Sequence, residues 1–238
     1  MKRVDLMKSL ITGLFCLGLA QQLMAATIYD NSVNDQVIRF HPGTAQVGDE
    51  ITLAGTERYL TRFDFEYFGT NSASPGNLAF AGNVQARVKF YLNDGPLFNG
   101  YATPGTTIYD SGLFGGFGPT PRSTLIFTVA GGDFPSTGLF LPANNLTWAV
   151  QFSGMAGTDD IGLDIYSPPV VGGNFPDYWQ NSGSGWQLLT NNAGIPMNFG
   201  ARMFASAEPV PEPSMEAFTI LGAIFSLGAA RWKIRSSK

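Results

Sequence analysis

Three aspartates in one short segment have a spacing that a hard cation could use. Asp159, Asp160 and Asp164 lie around Gly162 in the run 158–164. Carboxylate oxygens near a glycine turn are ligands that Ca²⁺ prefers, so these residues form a candidate calcium site. The run does not match an EF-hand loop, and adjacent aspartates at the start of a strand are usually solvated turn residues. Both interpretations stay open at this point, and no other cofactor is expected.

A second candidate is a group of aromatic residues on a stretch rich in glycine and proline. Exposed rings beside amides and carboxylates form the usual surface for a sugar, whose C–H faces stack while its hydroxyls find polar partners. Asp177, Gln180 and Asn181 could supply those partners. The alternative is that the rings close a hydrophobic core. The four aromatic residues are Tyr166, Tyr178, Trp179 and Trp186.

Residue patterns typical of enzymes are scarce. His41 is the only histidine, and no Gly-x-Ser-x-Gly elbow accompanies it. Clusters of His and Cys for zinc are absent from the sequence, as are nucleotide-binding fingerprints. A glycosidase needs just two carboxylates, which sequence spacing alone does not rule out. We therefore expect a protein that is not an enzyme, with no catalytic residue assigned and a glycosidase as the less favoured alternative.

Alternation of apolar and polar residues predicts β-strands throughout residues 27–207. The clearest strand is 58–67, where Phe63, Phe65 and Tyr67 alternate with charged residues. Roughly nine to eleven antiparallel strands with Gly- and Pro-rich turns predict an all-β fold. We expect a jelly-roll-like antiparallel β-sandwich, with a closed barrel as the alternative. The other predicted strands are 84–91, 123–129, 146–152, 161–166 and 199–204, with weaker signals at 47–53, 106–109 and 186–189.

Two of these strands carry opposite charges on their polar faces. Asp64 and Glu66 alternate with the aromatic residues of the first, whereas Arg87 and Lys89 do so in the second. Opposite charges on neighbouring antiparallel strands form cross-strand pairs. If the two strands are antiparallel neighbours, these charges can pair across them, and we expect a structural role of this kind and not a catalytic carboxylate pair.

Charge and cysteine content limit the possible partners. Residues 27–207 hold 7 of the 14 Lys and Arg but 14 of the 18 Asp and Glu, a net charge of −7. Because no basic cluster is available to neutralise phosphates, nucleic acid is not an expected partner. Cys16 is the only cysteine, so an intramolecular disulfide is impossible. The length of 238 residues fits one globular domain with two terminal segments.

The first 26 residues have the three parts of a secretory signal peptide. Lys2, Arg3 and Lys8 give a positive start, and an apolar run follows at 10–20. Small residues at the end permit cleavage after Ala25 or Ala26. We expect export by the general secretory route.

Residues 208–238 also divide into three parts. A proline-rich motif at 210–214 forms an extended spacer, because proline fixes φ and lacks an N–H donor. An apolar segment at 215–232 is expected to form a single hydrophobic helix in the membrane, although its uncharged core of 217–230 is shorter than the roughly 30 Å of a bilayer. The basic tail 231–238 is expected to stay in the cytoplasm. The motif is Val210, Pro211, Glu212, Pro213 and Ser214, and the basic residues that end the segment include Arg231, Lys233 and Arg235.

This three-part end resembles the PEP-CTERM sorting signal of exported proteins in Gram-negative bacteria that make exopolysaccharide. The resemblance covers roughly the last 28 residues and implies recognition by an exosortase, a membrane-embedded processing enzyme. It also implies transient anchoring in the inner membrane, then transfer to the cell surface or extracellular matrix. We therefore expect a structural or adhesion role in the envelope or exopolysaccharide. A carbohydrate-binding module, with polysaccharide as its partner, is the alternative.

Overall fold

The computed structural model describes residues 25–71, 79–191 and 194–211. Within these ranges the regular structure consists of sixteen β-strands. None of the described residues belongs to a helix that is long and apolar enough to cross a membrane. The predicted signal peptide up to residue 24, most of the proline motif, the hydrophobic helix and the basic tail lie outside the described residues. The strands are β1 (Ala26–Asn31), β2 (Asp35–Phe40), β3 (Gln46–Thr52), β4 (Tyr59–Asn71), β5 (Gln85–Tyr91), β6 (Leu97–Phe98), β7 (Tyr101–Ala102), β8 (Thr107–Asp110), β9 (Thr120–Thr128), β10 (Leu139–Phe140), β11 (Asn145–Ser153), β12 (Asp159–Tyr166), β13 (Gly173–Asn174), β14 (Asp177–Asn181), β15 (Trp186–Thr190) and β16 (Ala201–Ser206).

The strands form two antiparallel sheets that pack face to face. Sheet A has the order β1-β16-β4-β12-β2, with β9 and β10 also paired to β4. Sheet B has the order β15-β14-β3-β11-β5-β8, with β13 also paired to β3. The short strands β6 and β7 form a separate hairpin. The all-β class and the β-sandwich are therefore confirmed.

The core lies between the sheets and is rich in aromatic rings. Phe63 and Phe65 of β4 are fully buried, as the alternation predicts. The ring of Phe63 lies 5.0 Å from that of Phe90 on β5 and 5.3 Å from that of Trp148 on β11, measured between centroids. Edge-to-face contacts of this kind add to the energy of burial and fix the spacing of the sheets.

β4 and β5 are not neighbours, so the charges on their polar faces do not pair with each other. These strands belong to different sheets, so their polar faces point to opposite sides of the sandwich. Asp64 is instead held by Arg202, whose Nη2 lies 2.9 Å from Oδ2, and by Arg62 on its own strand. Arg87 and Lys89 pair with Asp110 on β8. Alternation identifies the outward residues correctly but carries no information about which sheet they face.

A carboxyl group is buried in the core of sheet B. Asp49 on β3 is fully inaccessible, and its Oδ2 accepts a hydrogen bond from the Phe199 amide at 3.1 Å. Its Oδ1 has no hydrogen-bond partner among the described residues. Burial raises the pKa of Asp49 well above its ordinary value, and the nearby acids Asp177 and Glu50 raise it further against the opposing hydrogen bond.

Asp49 therefore makes the folded protein less stable as the pH rises. Above the ordinary aspartate pKa the unfolded chain loses this proton while the folded protein keeps it, which costs about 1.4 kcal/mol for each unit of pKa difference. We expect Asp49→Asn to raise the free energy of unfolding at pH 7–8, with the gain vanishing near pH 4. The Asn carbonyl can still accept from Phe199, and denaturant unfolding at several pH values measures the effect.

Asp94 provides a control of opposite sign. Hydrogen bonds from the Thr106 hydroxyl and amide lower the pKa of this exposed carboxyl. Its contribution is present above the ordinary aspartate pKa and is lost as the pH falls, so Asp94→Asn should weaken the fold at neutral pH. A gain for both variants, or a pH-independent effect of Asp49→Asn, would contradict this account.

Candidate functional site

Three of the four aromatic residues predicted as a sugar-binding surface are buried. Tyr166, Tyr178 and Trp179 are exposed by 2%, 9% and 0%, respectively. Tyr178 lies inside the core, with its ring 4.9 Å from that of Phe40. Tyr166 donates its hydroxyl to Glu66 on the outer side of sheet A, and burial followed by this bond raises its pKa. The expectation that these side chains are exposed is wrong, so they offer no ring face to a ligand.

Trp179 is buried on the outer face of sheet B, opposite the core. Its backbone pairs with Gly48 of β3. The ring of Phe98, from the β6–β7 hairpin, lies 6.4 Å from its ring, and its indole N–H approaches Glu50 Oε2 at 3.4 Å. No sequence signal shows that a distant hairpin covers this position, which is why periodicity misses its environment.

Trp186 is partly exposed and lies on the same outer face. Its ring is 5.5 Å from that of Tyr91, although the two residues belong to β15 and β5, with three strands between them. Both side chains must therefore lie across the sheet. Gly48 and Ala149, which are cross-strand partners in the middle of this face, leave room because they have little or no side chain. We call the set Tyr91, Trp179 and Trp186 the outer aromatic cover.

An open depression adjoins the outer aromatic cover at one end of sheet B. It has a volume of about 510 Å³ and its lining side chains are uncharged. Asn181, one of the lining residues, is the cross-strand partner of Trp186. Gln46 donates to the Tyr91 hydroxyl at 3.0 Å, and it is the cross-strand partner of Gln151 and Asn181, which line the depression. It therefore connects the outer aromatic cover with these two amide side chains. The polar residues that line the depression are Thr44, Gln151, Gln180, Asn181 and Ser182.

The structure does not bring the three candidate calcium ligands together. Asp159 accepts hydrogen bonds from the amides of Ala81 and Gly82 at 2.8 and 2.7 Å, so it fastens a loop. Partial desolvation raises its pKa, but bonds from backbone amides outweigh this and lower it. Asp160 contacts His41 Nδ1 at 2.6 Å. The part of the chain that the structure describes contains no group of three His, Cys, Asp or Glu side chains placed to hold a metal.

Asp164, the third candidate, belongs to a charged network on the outer face of sheet A. Arg122 is its centre: Nε lies 3.6 Å from both Asp164 Oδ2 and Glu66 Oε2, and Nη2 contacts Asp35. Burial raises the pKa of Asp164, while Arg122 and Arg39 oppose the rise. This network joins β9, β4, β12 and β2, and its arginines already have carboxylate partners. We interpret it as a structural feature that holds the strands together.

The predicted sorting motif begins just beyond β16, the last strand among the described residues. β16 ends at Ser206, and the Val210 amide donates to the Thr137 carbonyl at 2.9 Å. Pro209 and Pro211 are exposed. Of the five motif residues, Val210 and Pro211 are described, whereas 212–214 are not. Ala205 is the partner of Ala26 at the start of β1, so the chain enters and leaves the domain at the same place.

These features define an antiparallel β-sandwich with an uncharged depression on one face and an exposed C-terminal exit. Comparison of the chain with models of known families, with curated proteins and with solved structures found no match.

Trp179 is fully buried and Trp186 is partly exposed, so we expect their truncation to destabilise the protein to different extents. Trp179→Ala should lower the free energy of unfolding by about 3–5 kcal/mol, because it empties a filled site. Trp186→Ala should cost on the order of 1–2 kcal/mol, because its ring is already partly solvated. Denaturant unfolding followed by circular dichroism measures both, and an equal loss would contradict the assigned difference in burial.

Proposed function

We propose that this is an exported, non-catalytic β-sandwich protein that an exosortase-type enzyme processes through its C-terminal segment. Its role is structural or adhesive, at the cell surface or in the exopolysaccharide matrix. The N-terminal signal-peptide pattern and the PEP-CTERM-like end carry the targeting half of this proposal. The net acidic charge of residues 27–207 is compatible with that location.

One structural observation supports the proposal most directly. The described strands all lie between Ala26 and Ser206, and Pro211 is exposed five residues after β16 ends. A processing enzyme in the membrane needs an extended, accessible substrate segment beyond a folded domain. Among the described residues, Val210 is the last whose N–H donates to the domain, and the motif begins at this residue.

The sorting proposal is tested by fusing residues 208–238 to a neutral exported reporter. In a host with an exosortase we expect cleavage near the motif and loss of the tail; in the matched strain without the enzyme we expect the uncleaved fusion in the inner membrane. Replacing Pro211, Glu212 and Pro213 by alanine should abolish cleavage. Immunoblots of membrane and medium fractions measure it.

Glu208→Ala is the matched control, since it removes an acidic residue just before the motif. It should leave cleavage unchanged. Equal cleavage with and without the enzyme would dismiss the sorting proposal.

The depression beside Trp186 favours a second candidate function, binding of a neutral polysaccharide. The partly exposed indole offers an apolar edge, and the amides and hydroxyls that line the depression can pair with sugar hydroxyls. The uncharged lining favours a neutral sugar over a uronate or sulfated one, because a charged ligand would lack a counter-charge there. This candidate uses Trp186 of the four aromatic residues predicted from sequence and adds the amides around it.

Affinity electrophoresis tests this second function. A gel containing neutral exopolysaccharide should retard the protein, and Trp186→Ala should weaken the retardation about tenfold or more without unfolding it. Phe140→Ala is the matched control, because Phe140 is a 52% exposed aromatic residue on the other sheet. Equal mobility of the wild-type protein in gels with and without polysaccharide would exclude this function.

A further inference from the structure

The outer edge of β9 is the longest unpaired strand edge of sheet A. β9 has nine residues and pairs with β4 alone among the described strands. Sheet edges in soluble proteins usually carry a device that prevents pairing with another chain, such as a charge, a proline, a bulge or a short length. From Ser123 to Thr128 this strand contains no charged residue, proline or glycine.

The other edges of the sandwich do carry such devices. β2 includes Asp35 and Arg39, a register shift and a valine at φ 57°, Val37. β8 is four residues long and ends at Asp110, and β15 is five residues long. β1 is partly covered through its bridge to Val171. β9 has such devices only at its start, where Pro121 and Arg122 lie and the register against β4 shifts, so the stretch 123–128 remains open to pairing with another strand.

The hydrogen-bond pattern shows which backbone groups of β9 face outward. The Val129 amide donates to the Thr61 carbonyl at 3.1 Å, so residue 129 turns its backbone groups towards β4. Because this direction alternates along an antiparallel strand, Phe127 and Leu125 also face β4. Ile126 and Thr124 then point their N–H and C=O groups away from it.

Local bonds close both ends of this open stretch. The Thr128 amide donates to Asp133 Oδ2 at 2.8 Å, and its carbonyl accepts from the Asp133 amide at 3.1 Å. At the other end the Arg122 carbonyl accepts from the Thr120 hydroxyl at 2.8 Å. The outward groups of Thr124 and Ile126 remain between these ends, placed symmetrically about Leu125.

We propose that β9 pairs with β9 of a second copy of this chain, antiparallel and about a two-fold axis through Leu125. This register places Thr124 opposite Ile126 of the second copy, and each such pair can exchange both its N–H and its C=O groups. Sheet A then runs without interruption through both copies. The contact is isologous, so it closes as a dimer and does not propagate into a fibre.

Side chains on both faces fit this register. On the outer face Ile126, which is 51% exposed, gains cover from Thr124 of the second copy. On the inner face a groove of about 300 Å³ separates β9 from β8, with Tyr109, Phe114 and Leu125 among its lining residues. That groove has room for Leu125 of the second copy. A foreign peptide could also add to the edge, but the symmetry of the open groups about Leu125 favours self-pairing.

Site-specific disulfides test the register in the full chain. In a Cys16→Ser background, whole cells producing each variant are treated with diamide, so the result does not depend on export. Leu125→Cys should give a covalent dimer on non-reducing gels, since the two cysteines meet at the axis within the Cα separation that a disulfide needs. Thr124→Cys produced alone should stay monomeric, because the two copies of residue 124 are not opposite each other in this register. When Thr124→Cys and a differently tagged Ile126→Cys variant are produced in the same cells, they should form a mixed covalent dimer.

Two controls make the outcome decisive. Val33→Cys, at a 60% exposed turn residue, measures random collision, and we expect at least a fivefold excess of dimer over it. Adding Ile126→Lys to Leu125→Cys should remove that excess, whereas adding Val33→Lys should not. If Leu125→Cys disturbs the core, the mixed dimer of Thr124→Cys and Ile126→Cys still tests the register, because both residues are exposed. Dimer no greater than that of Val33→Cys from both designs, or crosslinks to a different protein, would overturn the proposal.

Discussion

The contact between the aromatic residues of β4 and those of sheet B is the constraint on which the rest of the fold depends. The single side chain of Phe63 contacts aromatic rings on four strands, namely β4, β5, β9 and β11. Since a shift of one residue would turn this side chain outward, the contact fixes the register of β4. Four strands pair with β4, so the register of β4 sets their positions in the sheet. They are β9, β10, β12 and β16.

Local pattern predicts much of this fold but little of its surface. Alternation locates β4, β5, β11 and β12 and their buried residues, because each pattern is complete within its own strand. It does not predict the burial or the partner of Asp64, since both depend on Arg202, on a strand almost 140 residues later. It also cannot show that Phe98 lies over Trp179, whereas it does identify Trp186 and its amide neighbours as a group. Which residues are exposed is decided by distant chain segments.

The two faces of the sandwich have different characters. Sheet A is covered by ion pairs centred on Arg122, in which acidic and basic groups satisfy each other. Sheet B carries ion pairs to Asp110 at its β5–β8 edge, but aromatic rings lie over Gly48 and Ala149, with neutral amides at their margin. The depression beside the aromatic rings is lined by uncharged residues, whereas arginines and carboxylates lie at the centre of the outer face of sheet A. Gly48 is also required by its neighbour on β11, because a Cβ there would lie 2.7 Å from Thr147 Cγ2.

The position of β16 has a mechanical consequence. This strand, the last among the described residues, is paired on both sides, to β1 and to β4. If the domain is tethered through its C-terminal end, a drag force on β16 is opposed by two ladders of hydrogen bonds at once. A terminal strand at the margin of a sheet would instead peel away one bond at a time. The topology thus gives a tethered domain resistance to shear without any disulfide.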